Sequence, residues 1–93
     1  MVQQFFVFVR GKPGNTHSIA MTIARQRIAH VKEISSISGP WDLLLRVEID
    51  SRLNVAEEVI GPISKLDDVE RTETIIGYVT YDPATLALED DFD

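Results

Sequence analysis

Apolar residues in the first third of the chain follow two spacings, one typical of a strand and one typical of a helix. Residues 5–9 form a continuous aromatic and β-branched run, which ends at the glycine- and proline-containing residues 10–14. Isoleucine and alanine then recur at three- and four-residue intervals over residues 19–28, after Asn15 or Thr16, either of which could cap a helix. The pattern predicts a first strand followed by an amphipathic helix.

The middle of the chain predicts a hairpin around Gly39-Pro40. Residues 31–37 are weakly patterned but leave room for one strand before that turn. From Trp41 onward the alternation is strong, and it places on one face Trp41, Leu43, Leu45, Val47 and Ile49.

The last part of the chain predicts a second helix and a final strand. Ser51 is the predicted cap of a helix whose apolar residues recur from residue 55 to residue 66. Gly61-Pro62 predicts a kink or a break within it, because proline has no amide proton to donate. The final strand is predicted from Val69 to about Tyr81.

The element order is therefore β-α-β-β-α-β, which predicts an α+β, ferredoxin-like fold with two helices on one face of a four-stranded antiparallel sheet. The first strand is apolar on both faces, and the last strand places Ile76 and Tyr78 opposite Ile75 and Val79. A sheet with only one covered face normally alternates apolar with polar residues. We therefore expect a second subunit to cover the helix-free face, in a dimer of the α+β barrel type or a larger ring.

Charge and length limit the classes of function. The 93 residues are enough for one domain with a modest core. Residues 82–93 hold five of the fifteen acids and none of the nine bases, so residues 1–81 carry nine bases against ten acids. We interpret residues 1–81 as the domain and residues 82–93 as an acidic tail. Neither part has the basic surface that direct nucleic-acid binding requires.

Cysteine is absent, which excludes disulfides and thiolate metal sites and fits a cytoplasmic protein. The apolar run at the start is too short to span a membrane. His17 and His30 are thirteen positions apart without supporting ligands, so we expect no metal site, and nothing in the sequence indicates a cofactor.

Three short segments give the chain a resemblance to a known family. They are Phe-Val-Phe-Val at residues 6–9, Ser-Gly-Pro-Trp-Asp-Leu-Leu-Leu at residues 38–45, and Val-Glu-Arg-Thr-Glu-Thr at residues 69–74. In this order they resemble the ligand-sensing RAM domain of the Lrp/AsnC transcription regulators, over nearly the whole chain up to Tyr81. Typical members carry a helix-turn-helix ahead of this domain, whereas here the first strand begins at residue three. The chain thus resembles the stand-alone members, which lack that unit.

The resemblance implies that residues 1–81 are an effector-binding and oligomerisation domain, which is a non-enzymatic module for transcription regulation. It implies dimers that assemble into rings, an amino acid or similar effector bound between subunits, and co-assembly with a DNA-binding Lrp/AsnC relative. The implied ligand site, to which a neighbouring subunit could contribute, consists of Ser38, Gly39, Trp41, Asp42, Thr72 and Thr74.

The candidate site residues each have an ordinary structural alternative. Asp42 could pair with an amino acid's ammonium group while amides around Gly39 take its carboxylate, or it could simply bind the turn backbone. Thr72 and Thr74 share a strand face and offer two hydroxyls, but threonine is also a common strand residue. For Trp41 an oligomer interface is favoured over a pocket wall.

Two other classes use the same topology. A dimeric α+β barrel enzyme, such as a small cofactor-free monooxygenase, would need a closed cavity between sheet and helices, lined by groups such as Trp41, His17 or Tyr78. An ACT-like allosteric domain would also bind amino acids between subunits, and the turn at residues 12–14 is similar to that family's.

Overall fold

The chain forms a four-stranded antiparallel sheet with strand order β2-β3-β1-β4 and helices against one face. The structure is a computed structural model that describes residues 1–78 and 83–84. Its elements are β1 Val2–Gly11, α1 Thr16–Arg25, β2 Val31–Ser36, β3 Leu43–Asp50, a π-helical segment Ala56–Ile60, α2 Gly61–Ser64 and β4 Val69–Gly77. The α+β, ferredoxin-like β-α-β-β-α-β fold predicted from the sequence is confirmed.

The core lies between the sheet and the helices. Val7 of β1 is opposite Leu45 of β3, so the odd-numbered residues of both strands point to the same face. They form one buried cluster with residues from the helices: Phe5, Val7, Val9, Leu43, Leu45, Val47, Ile49, Ile19, Ile23, Val59 and Ile63. We call this side of the sheet the helix-covered face and the other side the helix-free face.

Helix α1 begins directly after Asn15, as predicted, but ends earlier than its apolar spacing suggests. Asn15 precedes it, but its side chain makes no capping hydrogen bond, so the predicted side-chain cap is wrong. The backbone of Asn15, with φ −107° and ψ 8°, lacks the extended conformation that aims a capping oxygen at the first amides. At the other end Arg27 has a positive φ of 48°, which turns the chain out of the helix before Ile28.

The second helical region begins at a different residue from the predicted one. Asn54, not Ser51, is the cap, because its Oδ1 accepts hydrogen bonds from the amides of Ala56 at 2.8 Å and Glu57 at 3.4 Å. The predicted interruption at Gly61-Pro62 is found as a change from π-helix to α-helix at Gly61. The amide of Gly61 bonds to the carbonyl of Ala56, five residues back, which is the π-helical pattern.

Strand β4 contains an irregularity close to its start. Arg10 of β1 is opposite Arg71, whereas Gly11 is opposite Val69, so Glu70 is an extra residue in a β-bulge. The predicted strand end at Tyr81, the position of Val79 and most of the predicted tail, residues 82–93, lie outside the described residues. Within the described residues, none of the helices has the length and apolar character needed to cross a membrane.

Candidate functional site

The helix-free face of the sheet carries large apolar side chains that the chain only partly buries. Phe6, Phe8 and Leu44 are half-buried, and Ile75 remains 46% exposed. The strand register places Phe8 directly between Leu44 and Glu73, so these side chains form one row across the sheet. The two-sided apolar character predicted for β1 is therefore confirmed.

Two features shape this face around its aromatic residues. The ring of Phe6 lies over Gly77, where a Cβ atom would come within 2.7 Å of the ring's Cε2. Glycine at position 77 therefore leaves the room that the ring occupies. Beside them, Arg46 Nη1 and Glu48 Oε1 form an ion pair at 2.9 Å, with both side chains partly exposed.

Trp41 lies on the helix-free face, which corrects its predicted position beside Leu43. Its ring centroid is 5.8 Å from that of Phe8, at an interplanar angle of 38°. The guanidinium of Arg71 lies over the indole, 5.5 Å from the ring centroid. The prediction was wrong because β3 begins only at Leu43, so strand alternation does not extend back to Trp41.

Asp42 joins the start of β3 to the end of β1. Its Oδ2 accepts a hydrogen bond from the amide of Gly11 at 2.8 Å, and its own amide donates to the carbonyl of Val9 at 2.9 Å. Gly11 is buried against Ile19, whose Cδ1 occupies the position that a Cβ would need. Of the two alternatives for Asp42, the structure contains the backbone contact, although with β1 and not with its own turn.

The remaining candidate residues lie at exposed or edge positions. Ser38 and Gly39 are exposed, and Gly39 has a φ of 117°, a conformation that favours glycine. Thr72 and Thr74 are opposite Val9 and Val7, so they share the helix-covered face at the sheet edge. Within one chain the threonines are thus on the opposite face from the Trp41 ring, and the six residues do not form one pocket.

One functional candidate was not identified from the sequence. Arg71 lies within the segment at residues 69–74, but only the register shows that it is directly opposite Arg10 and close to Trp41. The sequence shows one basic residue at the end of β1 and one near the start of β4. That these two residues are neighbours follows only from the strand pairing and the bulge.

The space between sheet and helices is filled with side chains. Val7, Leu45 and Val59 of this layer are fully buried. The residues suggested for an enzyme cavity lie elsewhere: Trp41 is on the helix-free face, His17 is exposed, and Tyr78 is 76% exposed. These positions give no support to the monooxygenase-like alternative.

Among the described residues, surface cavities also lie away from the six candidate residues. One of about 270 Å³ lies between α1 and β2 and is lined in part by Ile23 and Arg27. A second of about 220 Å³ includes Thr22 and Asp68, and a third of about 250 Å³ includes Val2. No three His, Cys, Asp or Glu residues in the described part of the chain are close enough together to hold a metal ion.

Comparison with known families finds a match over almost the whole chain. The Lrp/AsnC ligand binding domain matches residues 4–86. The chain belongs to the Lrp/AsnC family. Its topology is thus that of a domain from a family of transcription regulators.

Relatives of this Lrp/AsnC domain include longer regulators. An uncharacterised HTH-type transcriptional regulator of Pyrococcus horikoshii is 31% identical over 78 residues, which cover 81% of this chain and 51% of the regulator. The chain therefore spans about half the length of the curated relative it matches.

Solved structures show the same fold. The protein TTHA0845 of Thermus thermophilus is 29% identical, with a TM-score of 0.74 over 86% of this chain and 98% of that protein. A regulator of Neisseria meningitidis in complex with L-Met is 15% identical, with a TM-score of 0.70 over 86% of this chain and 52% of that protein. At this identity the second likeness concerns the fold alone.

Proposed function

We propose that this Lrp/AsnC domain is a non-enzymatic effector-sensing and oligomerisation module. It binds an amino acid or a similar small molecule between subunits and modulates transcription in the cytoplasm by co-assembling with DNA-binding relatives. The observation that carries the proposal is the helix-free face, where Phe6, Phe8, Leu44 and Ile75 are left partly in water.

Association through the helix-free face would bury the apolar side chains that a single chain leaves partly exposed. An exposed apolar patch with a polar rim is typical of a protein–protein contact surface. Here the apolar centre is flanked by the ion pair Arg46–Glu48 and by Trp41, a residue type that often anchors interfaces. Two copies related by a twofold axis would place the same surface on both sides, which is the usual arrangement in homodimers.

The effector site is proposed at the contact between subunits. Ser38 and Gly39 are exposed, and Thr72 and Thr74 offer hydroxyls at the sheet edge, so a neighbouring copy could complete a crevice around them. An amino-acid effector is supported by the related fold of the Neisseria meningitidis regulator, which was solved with L-Met. The family match over residues 4–86 supports a regulatory role.

DNA contact is assigned to the relative and not to this domain. Residues 1–81 carry nine bases against ten acids, which does not produce the positive field that binds phosphates. The proposed contribution of this domain is therefore the assembly surface and the effector response.

Light scattering coupled to gel filtration tests the assembly. We expect the wild-type chain at micromolar concentration to have at least the mass of a dimer. Leu44→Lys introduces a charge on the helix-free face and should shift the mass to that of a monomer. The matched control is Ala24→Lys, which adds the same charge on the exposed side of α1 and should leave the mass unchanged. A wild-type monomer would contradict the proposal.

Calorimetry with the twenty standard amino acids, beginning with L-methionine, tests the sensing role. At least one amino acid should bind the wild-type oligomer, and Leu44→Lys should lose that binding because the site lies between subunits. If an oligomer binds none of them, the domain is only a scaffold and the sensing part of the proposal is wrong.

A further inference from the structure

Two arginines lie side by side at one end of the helix-free face. Arg10 of β1 is directly opposite Arg71 of β4, and both side chains are exposed. Directly opposite residues on antiparallel strands have Cβ atoms about 4.5–5.5 Å apart, and like charges in such a pair destabilise the sheet. The pairing is thus unfavourable unless a negative charge occupies the space beside it.

No carboxylate in the described residues neutralises this pair. The ion pairs there join Arg46 to Glu48 and Arg52 to Asp50, and neither involves Arg10 or Arg71.

Two acids in neighbouring parts of the sheet, Glu73 and Asp42, do not fill the role. Glu73 lies one row along the same face, opposite Phe8, and it forms no ion pair with either arginine in the described part of the chain. Asp42 is close to the end of β1, but its Oδ2 accepts the amide of Gly11. The arginine pair is therefore open to a negatively charged group from outside the described residues.

The contact with Trp41 prepares Arg71 for this role. Its guanidinium lies over the indole, 5.5 Å from the ring centroid, and its N–H groups donate no side-chain hydrogen bond to a described residue. A guanidinium presented in this way matches the two oxygens of a carboxylate through paired hydrogen bonds. Arg10 would add a second cation on the neighbouring strand.

We propose that Arg10 and Arg71 bind the carboxylate group of a small-molecule ligand, with Trp41 as the aromatic wall of the site. The ligand would be the effector, and to that extent this assignment rests on the proposed sensing function. It places the carboxylate at the arginine pair and not at the amides around Gly39.

The full chain and a simple probe test the assignment. Trp41 is the only tryptophan, so its fluorescence reports on this site, and calorimetry gives a second readout. We would titrate succinate and acetate at constant ionic strength, balanced with sodium chloride. The wild-type chain should give a saturable response to the carboxylates and none to chloride.

Variants assign the response to the arginines. Arg71→Gln should weaken carboxylate binding by about tenfold or more, because a hydrogen bond to a charged group is lost. Arg10→Gln should weaken binding less. The affinity of Arg71→Lys should lie between those of Arg71→Gln and the wild type, because lysine keeps the charge but cannot form the paired hydrogen bonds. The matched control, Arg25→Gln on exposed α1, should bind as wild type does.

The outcomes separate this assignment from the proposed function. Unchanged succinate binding in Arg71→Gln, or no saturable response in the wild type, would overturn the carboxylate site. An amino acid that binds wild type and Arg71→Gln equally would also overturn it while leaving the sensing function intact. A succinate response without any amino-acid binding would support the site and contradict amino-acid sensing.

A carboxylate could also come from a neighbouring copy of the chain. If Arg71→Gln lowered the mass of the oligomer while the wild type ignored succinate, the arginines would be part of the subunit contact and the ligand site would be rejected.

Discussion

The two faces of the sheet both carry large apolar side chains, but one chain completes the burial of only one of them. On the helix-covered face Leu45 is fully buried, whereas its neighbour Leu44 on the helix-free face remains partly exposed. Adjacent leucines of one strand thus belong to two different surfaces, the packed core and the partly exposed helix-free face. The first specifies the fold of the chain, and the second is available for contacts with another molecule.

Truncation of the two adjacent leucines should give the largest difference in stability between the two faces. Leu45→Ala should lower the free energy of unfolding by about 2–5 kcal/mol, because it leaves a cavity in a packed core. Leu44→Ala should lower it by about 1 kcal/mol or less at high dilution, as expected for a surface change. Urea denaturation at several protein concentrations measures both.

The loss for Leu44→Ala should grow with protein concentration, because association stabilises the wild-type chain by mass action. Equal losses for the two leucines at every concentration would remove the distinction between the faces.

Substitution of one glycine on each face compares how well the two faces accommodate an added methyl group. Gly11→Ala would press against Ile19, which is held in the core, and should cost about 1–3 kcal/mol of stability through overpacking. Gly77→Ala would press against the ring of Phe6, which lies on the open face and can move. It should therefore leave thermal stability of the dilute chain almost unchanged and weaken self-association instead. A larger loss of stability for Gly77→Ala would show that the open face is as rigid as the core.

Asp42 lies at the end of the sheet, where it joins β3 to β1. Two substitutions separate its contact with the backbone from a contact with the ligand. Asp42→Ala leaves the amide of Gly11 without its partner and should cost about 1–3 kcal/mol of stability. Asp42→Asn retains an acceptor oxygen and should cost less. If Asp42→Asn is folded and stable but no longer binds an amino acid, the charge of Asp42 also contacts the ligand. If it still binds, the aspartate serves the backbone alone.

The smallest expected effect concerns an ion pair at the far end of β3. The pKa of Asp50 is lowered because the side chain of Arg52 donates hydrogen bonds to its carboxylate, and the backbone amide of Arg52 adds another. Since the folded pKa lies below the unfolded one, this contact stabilises the fold above the unfolded pKa. Its contribution is lost as the pH falls through the folded pKa.

An NMR titration of the Asp50 carboxyl group measures this effect. In Arg52→Gln the pKa should return toward its ordinary value, and added salt should have a similar, partial effect in the wild type. An unchanged pKa in the variant would show that Arg52 is not the cause.

Hydrophobic spacing was sufficient to predict the order of the elements and the covered face of β3. It could do so because burial on one face imposes a period of two on a strand and about 3.6 on a helix. The caps were not predictable in the same way. Asn15 and Ser51 have suitable side chains, but capping depends on local backbone angles, and Asn54 is the residue with the correct geometry before the second helix.

The candidate site was less predictable than the fold, because its contacts join distant parts of the chain. Asp42 and Gly11 are 31 positions apart, and no local pattern links them. The neighbourhood of Arg10 and Arg71 depends on the bulge at Glu70, since one residue more or less in β4 would turn Arg71 to the other face. Sequence reasoning named the segments that contain Trp41, Asp42 and Arg71 but not the side chains that meet.

The outermost strands of the described sheet, β2 and β4, each contain an extra charged residue, Lys32 and Glu70, in their pairing with the inner strands. Bulges and charges at such borders hinder the docking of a further strand. Endless lateral growth into fibrils is thereby discouraged, which leaves the proposed self-association to the helix-free face.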